Sequence, residues 1–155
     1  MSTTTRGAVV VRAGEARTVR WGPAGIMRIL GGAGSTDGTF SICEAIEEPG
    51  SAAPLHVHHG EAEAFYVLEG MIELTCGDEE VTATEGDFVW TPQDVPHKYA
   101  VGGDRPARVL LLFSRPGFEE FFAEAGAPLD GPAGVPPSPE VLAKYDLELL
   151  APPGH

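Results

Sequence analysis

The chain has 155 residues, a formal net charge of −13, 20 glycines and 14 prolines. That length fits one domain whose core needs neither disulfides nor a structural metal, and the abundance of turn formers favours short strands over a helical bundle. The acidic balance argues against nucleic acid or an anionic membrane as a partner and leaves a small-molecule substrate as the expectation.

Residues 1–17 are polar and weakly patterned, and read as a loose N-terminal arm or an edge strand. No apolar leader-like run follows Met1, and no later run is long enough to span a bilayer. Cys43 and Cys76 have no metal-type spacing and form no disulfide framework, which suits a reducing compartment, so the expected location is cytoplasmic.

From Ile26 onward, apolar runs of strand length alternate with turn signals. The runs are 26–30, 39–46, 64–68, 71–76, 80–84, 88–90, 98–101 and 107–113, separated by glycine-rich and proline-rich breaks. This spacing predicts an all-β sandwich or barrel over residues 18–114. Beyond Ser114 the period changes. Phe118, Phe121, Phe122 and Ala125 recur at i, i+3, i+4 and i+7, and Gly126 and Pro128 stop the pattern, which predicts a short amphipathic helix packed on the barrel. A proline-rich connector follows. Ser138 and Pro139 then make an N-cap and first turn for a second helix reaching about Leu150, so residues 115–155 read as a helical C-terminal extension.

Of five histidines, four fall in two segments, 54–63 and 91–97. In an extended strand His56 and His58 share a face, because side chains alternate with period two. Glu63 opens the next strand after a turn at Gly60, and His97 arrives from a remote strand. Three imidazoles and one carboxylate suit a divalent transition ion, with positions left for water, dioxygen or substrate. His59 and Glu61 have the wrong parity to join this group and are expected to be solvated or hydrogen-bonded to a ligand.

These segments resemble the two motifs of the cupin superfamily. Gly50, His56, His58, Glu63 and Gly70 stand in the register of the first motif. Gly86, Pro92 and His97 match the second, whereas Asp94 replaces its second glycine and Val101 stands where an asparagine would be. The resemblance covers about residues 37–113. It implies a double-stranded β-helix (a cupin, or jelly-roll, barrel), here with short C-terminal helices, holding one ion of iron, nickel, manganese, cobalt or zinc on His56, His58, Glu63 and His97.

Within that superfamily the chain looks most like single-domain bacterial quercetin 2,3-dioxygenase-type proteins. The likeness rests on the run from His56 to Gly70, on Gly86-Asp87-Phe88-Val89, and on a tail from Pro116 to Glu140. It implies a metal-dependent dioxygenase that cleaves a flavonol-like or other enolisable aromatic molecule, with Glu63 as both ligand and catalytic base. Phe65 shares parity with Glu63, and Tyr99 with His97, so both are candidate substrate contacts, against the alternative that each is plain core. The Phe118, Phe121 and Phe122 face is expected to pack on the barrel rather than form a substrate box. A metal-dependent isomerase, a polyketide cyclase-like cupin and a non-enzymatic binding module stay open, because one fold hosts many chemistries. Pairing through edge strands into a homodimer is also expected.

Overall fold

The structure is a computed structural model that describes residues 7–150. The fifth histidine, residues 1–6 of the expected arm and the last five residues of the extension lie outside it. The described chain is mostly β, in two antiparallel sheets. One has the order β1 (Arg17–Trp21), β2 (Gly25–Gly31), β3 (Ser41–Glu47), β10 (Ala107–Phe113), β5 (Glu63–Glu69) and β8 (Phe88–Thr91). The other runs β11 (Leu147–Leu149), β4 (His56–His58), β9 (His97–Val101), β6 (Met71–Cys76) and β7 (Glu79–Thr84). Neighbours in each sheet come from distant parts of the chain, as in a jelly roll.

Alternation builds the core. Along β2 and β10 every second residue is buried, and Met27, Cys43, Phe65, Val67, Leu111 and Phe113 of the first sheet face Ile72, Leu74 and Val101 of the second. Leucine, isoleucine, valine and phenylalanine in strict alternation therefore select the inward face, and a slip of one residue would expose all of them. The strand runs expected from Ile26 onward match β2, β3 and β5 to β10. A further strand, β1, precedes them. Its Arg-Thr-Val-Arg-Trp text alternates too weakly to mark a strand, and it forms because it pairs with β2 along its whole length.

Helix α1 (Glu119–Ala125) lies where the phenylalanine spacing puts it. Phe121 and Phe122 meet Trp21 of β1 edge-on, with ring centroids 5.7 and 4.9 Å apart. Helix α2 (Pro139–Lys144) starts at the Ser138 cap but is shorter than expected. Instead of continuing to Leu150, the chain turns at Asp146, with φ +53, and Leu147–Leu149 pairs with β4 as β11. The local text Leu-Glu-Leu fits either period, and the open edge of β4 decides for the strand. No helix among the described residues is long and apolar enough to cross a membrane.

Two turns show why the motif glycines are there. Gly70, between β5 and β6, has φ +81, and a Cβ at that position would stand 2.7 Å from the Pro106 carbonyl oxygen. Gly86, before β8, has φ +90 but open space around it. Asp94, standing where the second motif has a glycine, also has φ +68, and aspartate is among the few residues that tolerate this region. The departure from the motif thus leaves the turn intact. Substituting Gly70→Ala is expected to cost about 2–4 kcal/mol, through strain plus the clash, whereas Gly86→Ala costs about 1 kcal/mol from strain alone. Denaturant unfolding of both variants checks the order, and equal losses would contradict it.

Candidate metal centre

The barrel brings together residues that the chain keeps far apart. His56 and His97 are register partners on adjacent strands β4 and β9, and His58 lies two residues along on the same face. Glu63 opens β5 in the facing sheet, where Thr91 on one side and Phe113 on the other fix its register. All four side chains are buried, and one potential ligand atom from each lies within 4.8 Å of the others. Ligand atoms bound about 2.0–2.2 Å from a shared ion stand at most about 4.4 Å apart, so shifts of a few tenths of an ångström would bring the four onto one ion. The donor set of three imidazoles and a carboxylate fits a divalent transition metal.

Each imidazole is oriented from behind. His56 donates through Nδ1 to the Pro54 carbonyl at 2.6 Å, His97 through Nδ1 to the Val95 carbonyl at 3.4 Å, and His58 through Nδ1 to the Glu61 carboxylate at 3.1 Å. A carbonyl or carboxylate oxygen only accepts, so each bond holds the proton on Nδ1 and aims Nε2 at the centre. Three separate acceptors thus prepare the same tautomer for ligation. Glu63 Oε2 lies 3.1 Å from His58 Nε2 and 3.3 Å from His97 Nε2.

Electrostatics separates the imidazoles. Burial lowers His56 to a pKa of about 4, with the neighbouring His97 adding to the effect, so His56 is neutral at pH 7. Burial pulls His58 the same way, but its bonds to Glu61 and Glu63 outweigh that and raise it to about 9. Burial would raise Glu63, yet its hydrogen bonds with His58 and His97 outweigh it and hold the carboxyl below the usual carboxylate range. The parity argument for the two neighbours of the group agrees with their placement. Glu61 is buried and bonds His58 from behind, and His59 is exposed, bridging Asp94 and Glu148 at 2.7 Å each.

A cavity of about 310 Å³ opens onto His56, His58 and Glu63. Its walls are apolar and largely aromatic: Trp21 of β1, Phe118, Phe121 and Phe122 around α1, and Leu142 and Leu147 from the C-terminal segment. The phenylalanines pack in the core as expected and also wall this space. Their sequence spacing signals packing only, and nothing local links Trp21 or Leu147 to a site. Tyr99 lines the cavity too. Phe65 is buried, in T-shaped contact with the His97 and Tyr99 rings, and lies outside the lining. No lysine or arginine is among the lining residues.

Residues 44–113 match the Cupin domain family. Over 105 residues the chain is 31% identical to the quercetin 2,3-dioxygenase of Bacillus subtilis, a stretch covering 67% of this chain and 31% of that enzyme. The match thus spans about a third of its length. Among solved structures, an RmlC-like cupin from Shewanella frigidimarina superposes with a TM-score of 0.62 at 17% identity, covering 74% of this chain and 96% of that one. The polyketide cyclase RemF of Streptomyces resistomycificus gives 0.59 at 22% identity, covering 72% and 83%. Such identities speak for the fold. The family match runs from within β3 to the end of β10, across every strand that supplies the four-residue group, so residues 44–113 of this chain form a cupin domain.

Proposed function

We propose that this chain is a metal-dependent oxygenase of the quercetin 2,3-dioxygenase type, acting on a flavonol-like or other enolisable aromatic molecule with dioxygen as co-substrate. One observation carries this: an apolar, aromatic-walled cavity opens onto His56, His58 and Glu63, three of the four residues of the His/His/Glu/His group. Flat aromatic substrates stack well against such walls, whereas a sugar phosphate would need cations that the lining lacks. His56, His58, Glu63 and His97 would hold one divalent ion, and iron, nickel, manganese, cobalt and zinc all suit that donor set. When bound, the ion supplies Lewis acidity that lowers the pKa of an enol hydroxyl.

The rest falls to the protein. Glu63 is the one carboxylate lining the cavity, so it accepts the enol proton and leaves an electron-rich enolate for dioxygen to meet. The phenylalanine and leucine walls exclude water and so strengthen each charge interaction inside. A cyclase or isomerase on the same site would turn over without oxygen.

The chain is further assigned to a homodimer. Tyr66, Phe88 and Trp90 are exposed side by side on the outer face of the larger sheet, where β8 is a free edge. On the same face Glu44 is clasped by Arg28 and Arg108, and Arg108 also reaches Glu69, so two cations and two anions cancel. In a chain of charge −13 such a neutral apolar face suits a second copy. Cys43 and Cys76 are both free thiols, which suits the cytoplasm.

Four outcomes are expected. Elemental analysis should find about one divalent ion per chain, lost in His97→Ala. Because His58 sits near pKa 9 and must surrender its Nε2 proton to ligate, loading the metal-free protein at pH 7 releases about one proton and weakens as pH falls. Calorimetry in buffers of different ionisation enthalpy reads this, and no buffer dependence would contradict it. Oxygen uptake with a flavonol should drop by about 10²–10⁴ in Glu63→Gln, while turnover under argon would favour a cyclase or isomerase instead. Light scattering should give a dimer that Phe88→Lys with Trp90→Lys converts to monomer, with metal content unchanged.

A further inference from the structure

The cavity lining contains one polar side chain with an unexplained partner. Tyr99 sits two residues beyond His97 on the inward face of β9 and is 9% exposed. Its hydroxyl donates to both carboxylate oxygens of Glu47, at 3.0 and 2.9 Å. Glu47 ends β3 in the facing sheet, is 7% exposed, and bonds through its side chain to no other residue among those described. Burial raises its carboxyl above the ordinary range, with the Tyr99 bond opposing the rise.

A buried carboxylate whose one partner is a phenol is costly, and a leucine of similar volume would fill the space between the sheets without that cost. What the carboxylate adds is direction. A phenol has one proton and two lone pairs. With the proton committed to Glu47, whatever part of the Tyr99 oxygen meets the cavity carries lone pairs only.

We propose that Glu47 is a positioning residue that turns the Tyr99 hydroxyl away from the cavity. The phenolic oxygen thereby becomes an acceptor for a second hydroxyl of the substrate, separate from the enol that meets the metal group. This rests on the aromatic-enol function proposed above and narrows the substrate class to polyhydroxylated aromatics. A substrate that offers only a carbonyl or ether oxygen there meets lone pairs with lone pairs and is rejected, because neither side has a proton to give.

The test is binding under argon, so that no turnover is needed. Metal-loaded protein is titrated with 3-hydroxyflavone, which carries the enolic hydroxyl alone, and with quercetin, which adds phenolic hydroxyls to the same skeleton, and both are followed by absorbance. Wild type should prefer quercetin by about tenfold, the worth of one well-formed hydrogen bond in a dry site. Tyr99→Phe should bring that preference close to one. Glu47→Leu should do the same, and Glu47→Gln, which keeps an acceptor oxygen, should restore part of it.

A purely structural Glu47 would weaken both probes alike and leave the ratio untouched, and that result overturns the proposal. So does an undiminished ratio in Tyr99→Phe, which decides the matter alone if thermal melting shows that Glu47→Leu does not fold. If wild type binds neither probe, both this proposal and the aromatic-enol function fall. If the ratios behave as expected but aerobic oxygen uptake is absent, the oxygenase assignment falls and this proposal stands.

Discussion

Placing a carboxylate and three imidazoles inside an apolar barrel is the constraint on which the rest of this structure depends. Glu63 is buried with His56, His58 and His97 around it, and charge in such a place is tolerable only when every polar atom has a partner. Here each has one. The Pro54 and Val95 carbonyls and the Glu61 carboxylate hold the three Nδ1 protons, Glu63 Oε2 stands 3.1 Å from His58 Nε2 and 3.3 Å from His97 Nε2, and no buried side-chain polar atom among the described residues lacks a partner. The same bonds that satisfy these groups also fix their direction. Polar satisfaction and preorganisation of the centre are therefore one feature.

That arrangement requires exact strand register. His56 faces His97 across one sheet, while Glu63 reaches the group from the other sheet and is held between Thr91 and Phe113. A one-residue slip of β9 would turn His97 to the outer face, and the burial of Tyr99 and Val101 on the same strand penalises such a slip. Hydrophobic alternation thus guards the geometry of the centre. Left-handed turns at Gly70, Gly86 and Asp94 let the strands reverse tightly enough for this register to close.

The segment after the barrel contributes the enclosure. Helix α1 leans its phenylalanines on Trp21 and carries the buried Glu119, which accepts from the Ala33 and Gly117 amides and so ties the helix start to the loop after β2. Strand β11 covers the edge of β4, the strand that bears His56 and His58. His59 bridges to Asp94 and to Glu148 of β11, joining both histidine-bearing loops to that cover. The four-residue group would otherwise face solvent, where charge interactions are weakened by water.

The sequence determined which four residues come together as the candidate metal group. Parity placed His56 and His58 on one face, the spacing of Glu63 and His97 fell in motif register, and alternation drew most of the strands, because these signals are local and periodic. The same logic placed α1 and set His59 and Glu61 apart from that group. Only the tertiary structure decided that Leu147–Leu149 is a strand rather than the end of a helix, that the α1 phenylalanines wall a cavity with Trp21, and that Tyr99 meets Glu47 across the barrel. Each of these is a meeting of residues far apart in the chain, where the local pattern fits more than one outcome and the choice is made by which open edge or buried group is left to be satisfied.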